Sequence, residues 1–182
     1  MNILLGVTGS VAATLTPQLV RELATLGEVQ IAATRSSLYF WQPHKLDCRT
    51  WLEDDEWPGM GYAKEQSIPH IELRRWADVM LIAPLTANTL AKLAHGLADN
   101  LLTCTARAWD REKPLIIAPA MNTFMWQHPA TAEHITTLKR WYGPKFFVVE
   151  PIEKRLACGD MGVGAMARIE AIVEVVRRML KK

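Results

Sequence analysis

The chain has 182 residues, 49% apolar and 22% charged, a length that fits one domain with a flap and not two full domains. A fold of this size buries about 70% of its unfolded surface without a disulfide or metal staple. A net charge of +2 with no basic block argues against nucleic acid as a partner.

Ile3 to Val7 is an apolar run closed by Thr8-Gly9-Ser10, and helical character follows from Val11 to about Leu26, with Gly27 placed to stop it. Val29 to Ala33 is a second run. Thr34-Arg35-Ser36-Ser37 follows it and opens a short helix that carries Leu38 to Trp41. Residues 42 to 66 read as an irregular surface loop or flap, with an acidic stretch from Glu53 to Glu56. Ile71 to Trp76 reads as helix. Val79 to Ala83 is the most apolar run and the best candidate for a central strand. Pro84 to Thr89 turns into a helix holding Leu90, Leu93 and Ala94, and another helix spans about Asp99 to Trp109. Leu115 to Ala118 is a strand ended by Pro119, and Ala120-Met121-Asn122 leads into a helical patch. A helix over Ala130 to Trp141 precedes a last strand, Phe146 to Val149. Residues 151 to 167 look glycine-rich and irregular, and Ile169 to Leu180 closes the chain as an amphipathic helix. Apolar runs alternating with helices predict an α/β fold: an open, doubly wound parallel sheet with helices on both faces.

Ligands of such sheets bind beyond the carboxyl ends of the strands. The segments there are Gly9-Ser10, Thr34 to Ser37, Pro84 to Thr89, Pro119 to Asn122 and Pro151 to Ala167. Each is rich in small hydroxyl, amide or glycine residues, which offer donors to a phosphate or a heterocycle edge. Any one of them would serve equally as a helix cap; five in phase at one sheet edge favour a ligand. Gly6 to Ser10 lacks the G-x-G-x-x-G spacing, no acidic ribose hook follows the second strand, and no Walker-type Gly-Lys-Ser/Thr occurs. The residues alone support a nucleotide-like or phosphorylated ligand.

Three cysteines, Cys48, Cys104 and Cys158, are an odd number without metal-type spacing and read as a reduced, intracellular set; His44, His95, His128 and His134 share no metal-ligand spacing either, so no metal is expected. The apolar start is too short and lacks the basic flank of a targeting signal. No run approaches the roughly 20 apolar residues of a membrane span. The expected compartment is cytoplasmic. Seven tryptophans exceed what one core holds, which points some of them at a ligand site or subunit interface.

Five blocks resemble the homo-oligomeric flavin-containing cysteine decarboxylases. They are Thr8 to Ala13, His70 to Asp78, Ala83 to Thr89 continuing to Asp99 to Thr103, Ala118 to Trp126, and Leu156 to Ala167. The likeness spans nearly the whole chain, and Pro-Ala-Met-Asn-x-x-Met-Trp with the later Ala-Cys-Gly-Asp is its most specific part. It implies a single Rossmann-like flavoprotein domain over residues 1–182, with a substrate-covering flap at about 151–167. It implies FMN near the subunit interface of a homotrimer, approached by Gly9, Ser10, Val11, Thr34, Ser36, Thr86, Ala87, Asn88, Thr89 and Ala120. The small-molecule substrate implied is 4'-phosphopantothenoylcysteine, an intermediate of coenzyme A synthesis, with Asn122, Arg155 and Ala157 on it and Lys154 near its phosphate. His70 matches the family's catalytic histidine and Cys158 the cysteine of the flap. Bacterial relatives often fuse this domain to the synthetase that makes the substrate; 182 residues leave no room for it, so a free-standing enzyme is expected.

The implied chemistry explains these residue types. An N-acylated cysteine has no electron sink for the carbanion that CO2 loss would leave. Oxidising its thiol end to a thioaldehyde places a C=S group β to the carboxylate, and a flavin is a suitable two-electron acceptor. CO2 loss then gives an enethiol, and the saturated product requires the electrons back and a proton at carbon. His70 is the candidate base, since imidazole works near neutral pH; the plain alternative is a surface histidine at a helix start. Asn122 would hold the carboxylate without a salt bridge that stabilises the ground state, and the same residue would also suit an N-cap. Cys158 is the candidate proton donor for re-reduction, against a role as apolar filler. Competing activities are a peptidyl-cysteine decarboxylase that stops at the enethiol, a non-catalytic FMN-binding regulatory relative, and a flavin prenyltransferase.

Overall fold

A computed structural model describes residues 1–57, 59, 61, 66–155, 159 and 161–180. Six strands form one parallel sheet: β1 (Asn2–Val7), β2 (Glu28–Ala33), β3 (Thr50–Trp51), β4 (Val79–Leu85), β5 (Leu115–Pro119) and β6 (Phe146–Val148). Their order is β3-β2-β1-β4-β5-β6. The helices are α1 (Thr16–Ala24), α2 (Glu53–Glu56), α3 (Pro69–Trp76), α4 (Ala87–His95), α5 (Leu101–Arg107), α6 (Thr123–Gln127), α7 (Pro129–Tyr142) and α8 (Ile169–Leu180). A separate antiparallel hairpin pairs β7 (Ile152–Arg155) with β8 (Met161–Ala165).

Side-chain alternation on the buried strands builds two cores. Along β4, Val79, Leu81 and Ala83 point to one face, while Met80 and Ile82 point to the other. The first face is covered by α1, through Leu19, Val20 and Leu23, and by α8, through Ile169, Ile172, Val173 and Val176. The α8 spacing is the i, i+3, i+4, i+7 stripe of an amphipathic helix. The second face is covered by Leu73 of α3, Leu90 and Leu93 of α4, Leu101 and Leu102 of α5, and Ile135 and Leu138 of α7. A sheet buried on both sides explains why all seven residues of β4 are buried and why the strand reads as a continuous apolar run. The expected doubly wound architecture is the one observed.

Local departures have physical causes. The first helix opens as a 3-10 turn over Val11–Leu15 and becomes α-helical at Thr16, with Pro17 in its first turn. The segment 42 to 66, expected to be irregular, contains a 3-10 turn (Pro43–Lys45), β3 and α2. Two residues paired as Ile31 with Thr50 and Ala32 with Trp51 are too few to show strand alternation. The glycine-rich stretch from 151 to 167 carries the β7–β8 hairpin instead of irregular chain. α3 begins at Pro69, two residues before the expected start, because proline suits a helix's first position.

The sheet order reverses between β1 and β4, and a crevice opens beyond the carboxyl ends of strands at such a switch. The buried Thr8 ties its two lips together. Its hydroxyl donates to the Pro84 carbonyl (2.7 Å) and accepts from the Thr86 N–H (2.9 Å).

Candidate functional site

The turn after β1 divides the crevice. Gly9 stands directly against the β2 loop, where a Cβ would lie 2.5 Å from Ser36 Oγ. No other residue permits that approach. On one side is a cavity of about 250 Å³, and on the other is one of about 490 Å³.

The smaller cavity is polar. Gly9, Thr34, Ser36, Thr86, Asn88 and Thr89, all expected at a cofactor, line it together with Arg35, Glu53, Lys92 and Asn100. The hydroxyls are held in pairs, Thr34 with Ser36 at 3.2 Å and Thr86 with Thr89 at 3.3 Å. Thr86 caps α4, accepting from the Thr89 N–H at 3.4 Å. Ala87 lines neither cavity; it is the first residue of α4, where backbone N–H groups have no intrahelical acceptor. Both cations have acidic partners. Arg35 bonds Asp54 at 2.7 Å, and Lys92 pairs with Asp99. The Lys92 hydrogen bond is the main cause that holds the Asp99 carboxyl below the usual carboxylate range.

The larger cavity is mostly apolar. Ser10, Val11, Ala120, Asn122 and Arg155 line it with Lys154, Met121, Met166, Ala167 and Ile169. Asn122 caps α6, its side-chain oxygen accepting from the Phe124 N–H at 2.8 Å. The hairpin forms one wall. The Met121 N–H donates to the Gly164 carbonyl at 2.9 Å, and a Cβ on Gly164 would lie 2.2 Å from the Met121 oxygen. This is why the expected flap is rich in glycine: β8 lies backbone to backbone on the loop that carries Asn122. Ala157 and Cys158 lie outside the described residues.

These walls fit FMN. Hydroxyls, amides and helix-start N–H groups in the small cavity suit its phosphate. The larger, apolar cavity suits a flat ring, and the Gly9-Ser10 turn connects the two.

His70 lines neither cavity. It sits in the first turn of α3, where its backbone N–H donates to Glu56 Oε2 at 3.2 Å and its Nδ1 pairs with Glu56 Oε1. Glu56 is buried at the end of α2, although it belongs to an acidic stretch expected in a surface loop or flap. Fourteen residues separate the pair, and no periodicity links them. Thr8 was missed for a similar reason, since a turn threonine gives no sign of which loop it will bridge. Burial, more than Asp47, pushes the Cys48 thiol up. Burial, then Glu56 and Asp99, does the same to Cys104, and neither setting favours a thiolate. The tryptophans stand away from the strand-end cavities. Trp41, Trp51 and Trp109 are buried across the two cores, Trp76, Trp126 and Trp141 pack at their margin, Trp57 is exposed, and none lines either strand-end cavity.

The same architecture recurs in known proteins. A protein from Mus musculus called phosphopantothenoylcysteine decarboxylase is 46% identical over all of this chain and 88% of its own length. A solved structure of a mutant PPC decarboxylase complexed with pantothenoylaminoethenethiol superposes with a TM-score of 0.93, at 45% identity, covering 100% of this chain and 98% of that one. The FMN binding protein AtHal3 superposes with a TM-score of 0.89 at 46% identity, covering 99% of this chain and 96% of that one. The flavoprotein family pattern matches residues 1–181, and the chain belongs to the flavoprotein family.

Proposed function

We propose that this chain catalyses the FMN-dependent decarboxylation of 4'-phosphopantothenoylcysteine to 4'-phosphopantetheine, a step of coenzyme A synthesis. One observation carries the reading: residues expected at cofactor and substrate line two adjoining cavities at the sheet's switch point. Bound FMN would supply a two-electron acceptor for the thiol and return the electrons after CO2 has left. The ethenethiol in the mutant relative's ligand has the form that CO2 loss leaves once the thiol end of an acylated cysteine has been oxidised by two electrons.

The chain's own residues divide the remaining work. Thr34, Ser36, and Thr86 to Thr89 would hold the anionic end of FMN, while Gly9, Ser10, Val11 and Ala120 would border its ring. Asn122 binds the substrate carboxylate through a neutral amide, which leaves the anion free to collapse to CO2. Lys154 and Arg155, on the hairpin, take the substrate phosphate, and Ala157 contacts the substrate. His70 accepts a proton in the oxidative half, and Cys158 donates one in the reductive half.

A homotrimer completes this site. The larger cavity is open, His70 is outside it, and the elements around it expose Val11, Leu15, Phe124, Met125 and Met161. Covering such apolar surface drives subunit association. No described helix is long and apolar enough to cross a membrane, and we place the reaction in the cytoplasm.

Mass analysis of products tests the reading. The FMN-loaded protein should be yellow and convert phosphopantothenoylcysteine to phosphopantetheine with loss of CO2. His70→Asn should release none. Cys158→Ser should release CO2 but accumulate the oxidised enethiol. A wild type that cannot be loaded with FMN, or that releases no CO2, sinks the proposal; saturated product from Cys158→Ser removes that residue's role alone.

A further inference from the structure

We infer that Glu56 is a positioning residue for His70, fixing the imidazole tautomer that leaves Nε2 free to accept a proton; the inference rests on the decarboxylase reading of His70. Glu56 grips His70 at two points. One carboxylate oxygen accepts the backbone N–H at 3.2 Å, and the other faces ring Nδ1. The Glu56 side chain is 6% exposed and that of His70 is 26% exposed, so the contact lies inside while the ring keeps an open side.

The chemistry follows from what a carboxylate accepts. An ionised carboxylate has no proton to give, so it bonds a neutral imidazole only when Nδ1 carries the hydrogen. The lone pair is then on Nε2, which makes no hydrogen bond among the described residues. A proton arriving at Nε2 from a substrate thiol makes an imidazolium whose Nδ1–H still donates to the Glu56 carboxylate. The backbone bond fixes the geometry, because the same carboxylate is anchored to the first turn of α3 and cannot rotate away from the ring. Glu56 also ties α2 to α3.

A purely structural role predicts different results. Glu56 could serve only as an external cap for α3, in which case any acceptor would do. Glu56→Gln separates the cases. Its amide oxygen can still accept the His70 N–H, but its NH2 can meet Nδ1 only as a donor, which moves the ring hydrogen to Nε2 and blocks the base.

The experiment uses the FMN-loaded wild type, Glu56→Gln and Glu56→Asp. Histidine-labelled ¹⁵N spectra, taken at a pH where imidazoles are neutral, read the His70 tautomer, with His70→Asn used to assign its signals. Wild type should show hydrogen on Nδ1 and Glu56→Gln hydrogen on Nε2. With phosphopantothenoylcysteine, Glu56→Gln should lose roughly 100-fold or more in kcat, with KM and bound FMN unchanged, and Glu56→Asp should recover part of the loss. An unchanged tautomer in Glu56→Gln, a wild-type kcat, or a loss confined to Tm and FMN content overturns the inference. If the wild type releases no CO2, the decarboxylase reading fails instead, and the tautomer measurement still decides whether Glu56 sets the ring.

Discussion

The two cavities flanking Gly9 differ in how finished they are. The smaller one is walled by hydroxyls that already bond one another and by cations with acidic partners nearby. The larger one is walled by small and apolar side chains, by a hairpin laid over the Asn122 loop, and by exposed hydrophobic residues. A preorganised polar cradle suits a cofactor that stays. An open apolar chamber suits the flat ring and, beside it, a molecule that enters, reacts and leaves. On the proposed reading the anionic end of FMN is retained on one side of the turn and the substrate turns over against its ring on the other, so substitutions on the two sides should fail in different ways.

The sharpest way to break the assignment is Gly9→Val. A Cβ there collides with Ser36, and the β1 and β2 loops must move apart. FMN should be lost almost completely, leaving colourless protein whose core packing keeps near-native circular dichroism. Normal FMN content would show that the close approach of these loops does not matter to the cofactor.

Asn122→Asp tests the other side, with a smaller expected effect. Aspartate caps α6 as well as asparagine does, so stability should hold. The new carboxylate would instead meet the substrate carboxylate, and like charges repel. FMN content should be unchanged while kcat/KM falls roughly 100-fold, equivalent to about 3 kcal/mol. Asn122→Ala should add a loss of about 1 kcal/mol in stability from the missing cap. If Asn122→Asp turns over normally, the larger cavity does not hold the substrate carboxylate.

These contrasts also mark what was legible in the sequence. Strands buried on both faces announce themselves as apolar runs, so β1, β2, β4 and β5 could be read directly, and their order of alternation with helices gave the layered architecture. The strand-end residues followed, because the fold fixes where ligands bind. The two-residue β3 could not be read, since its pairing with β2 is a tertiary fact. The hairpin was hidden for another reason: the glycines at 162 and 164 lower strand propensity but are required by the close approach of Thr123 and Met121. Glu56 was invisible because its burial depends on α2 folding back to α3, and charge runs are ordinarily solvated.

The smallest expected effect concerns the rim of the polar cavity. Asp99 is depressed mainly by its hydrogen bond from Lys92. A carboxyl whose folded pKa lies below its unfolded value adds stability above the unfolded pKa, and that stability is lost as pH falls through the folded pKa. Asp99 is half exposed, with 54% of its side-chain surface accessible, so solvent limits the pair to about 1 kcal/mol or less. Asp99→Asn should therefore change Tm little at neutral pH and flatten its fall in acid. The more telling measurement is FMN affinity. Freed from its carboxylate, Lys92 would face the cavity unneutralised, and two charges through water interact by about 1 kcal/mol. FMN should bind several-fold tighter at low salt, and the gain should fade as salt screens it. An affinity unchanged at low salt would mean that Lys92 does not serve the anion, and the small cavity would then hold it by hydroxyls, amides and helix-start N–H groups alone.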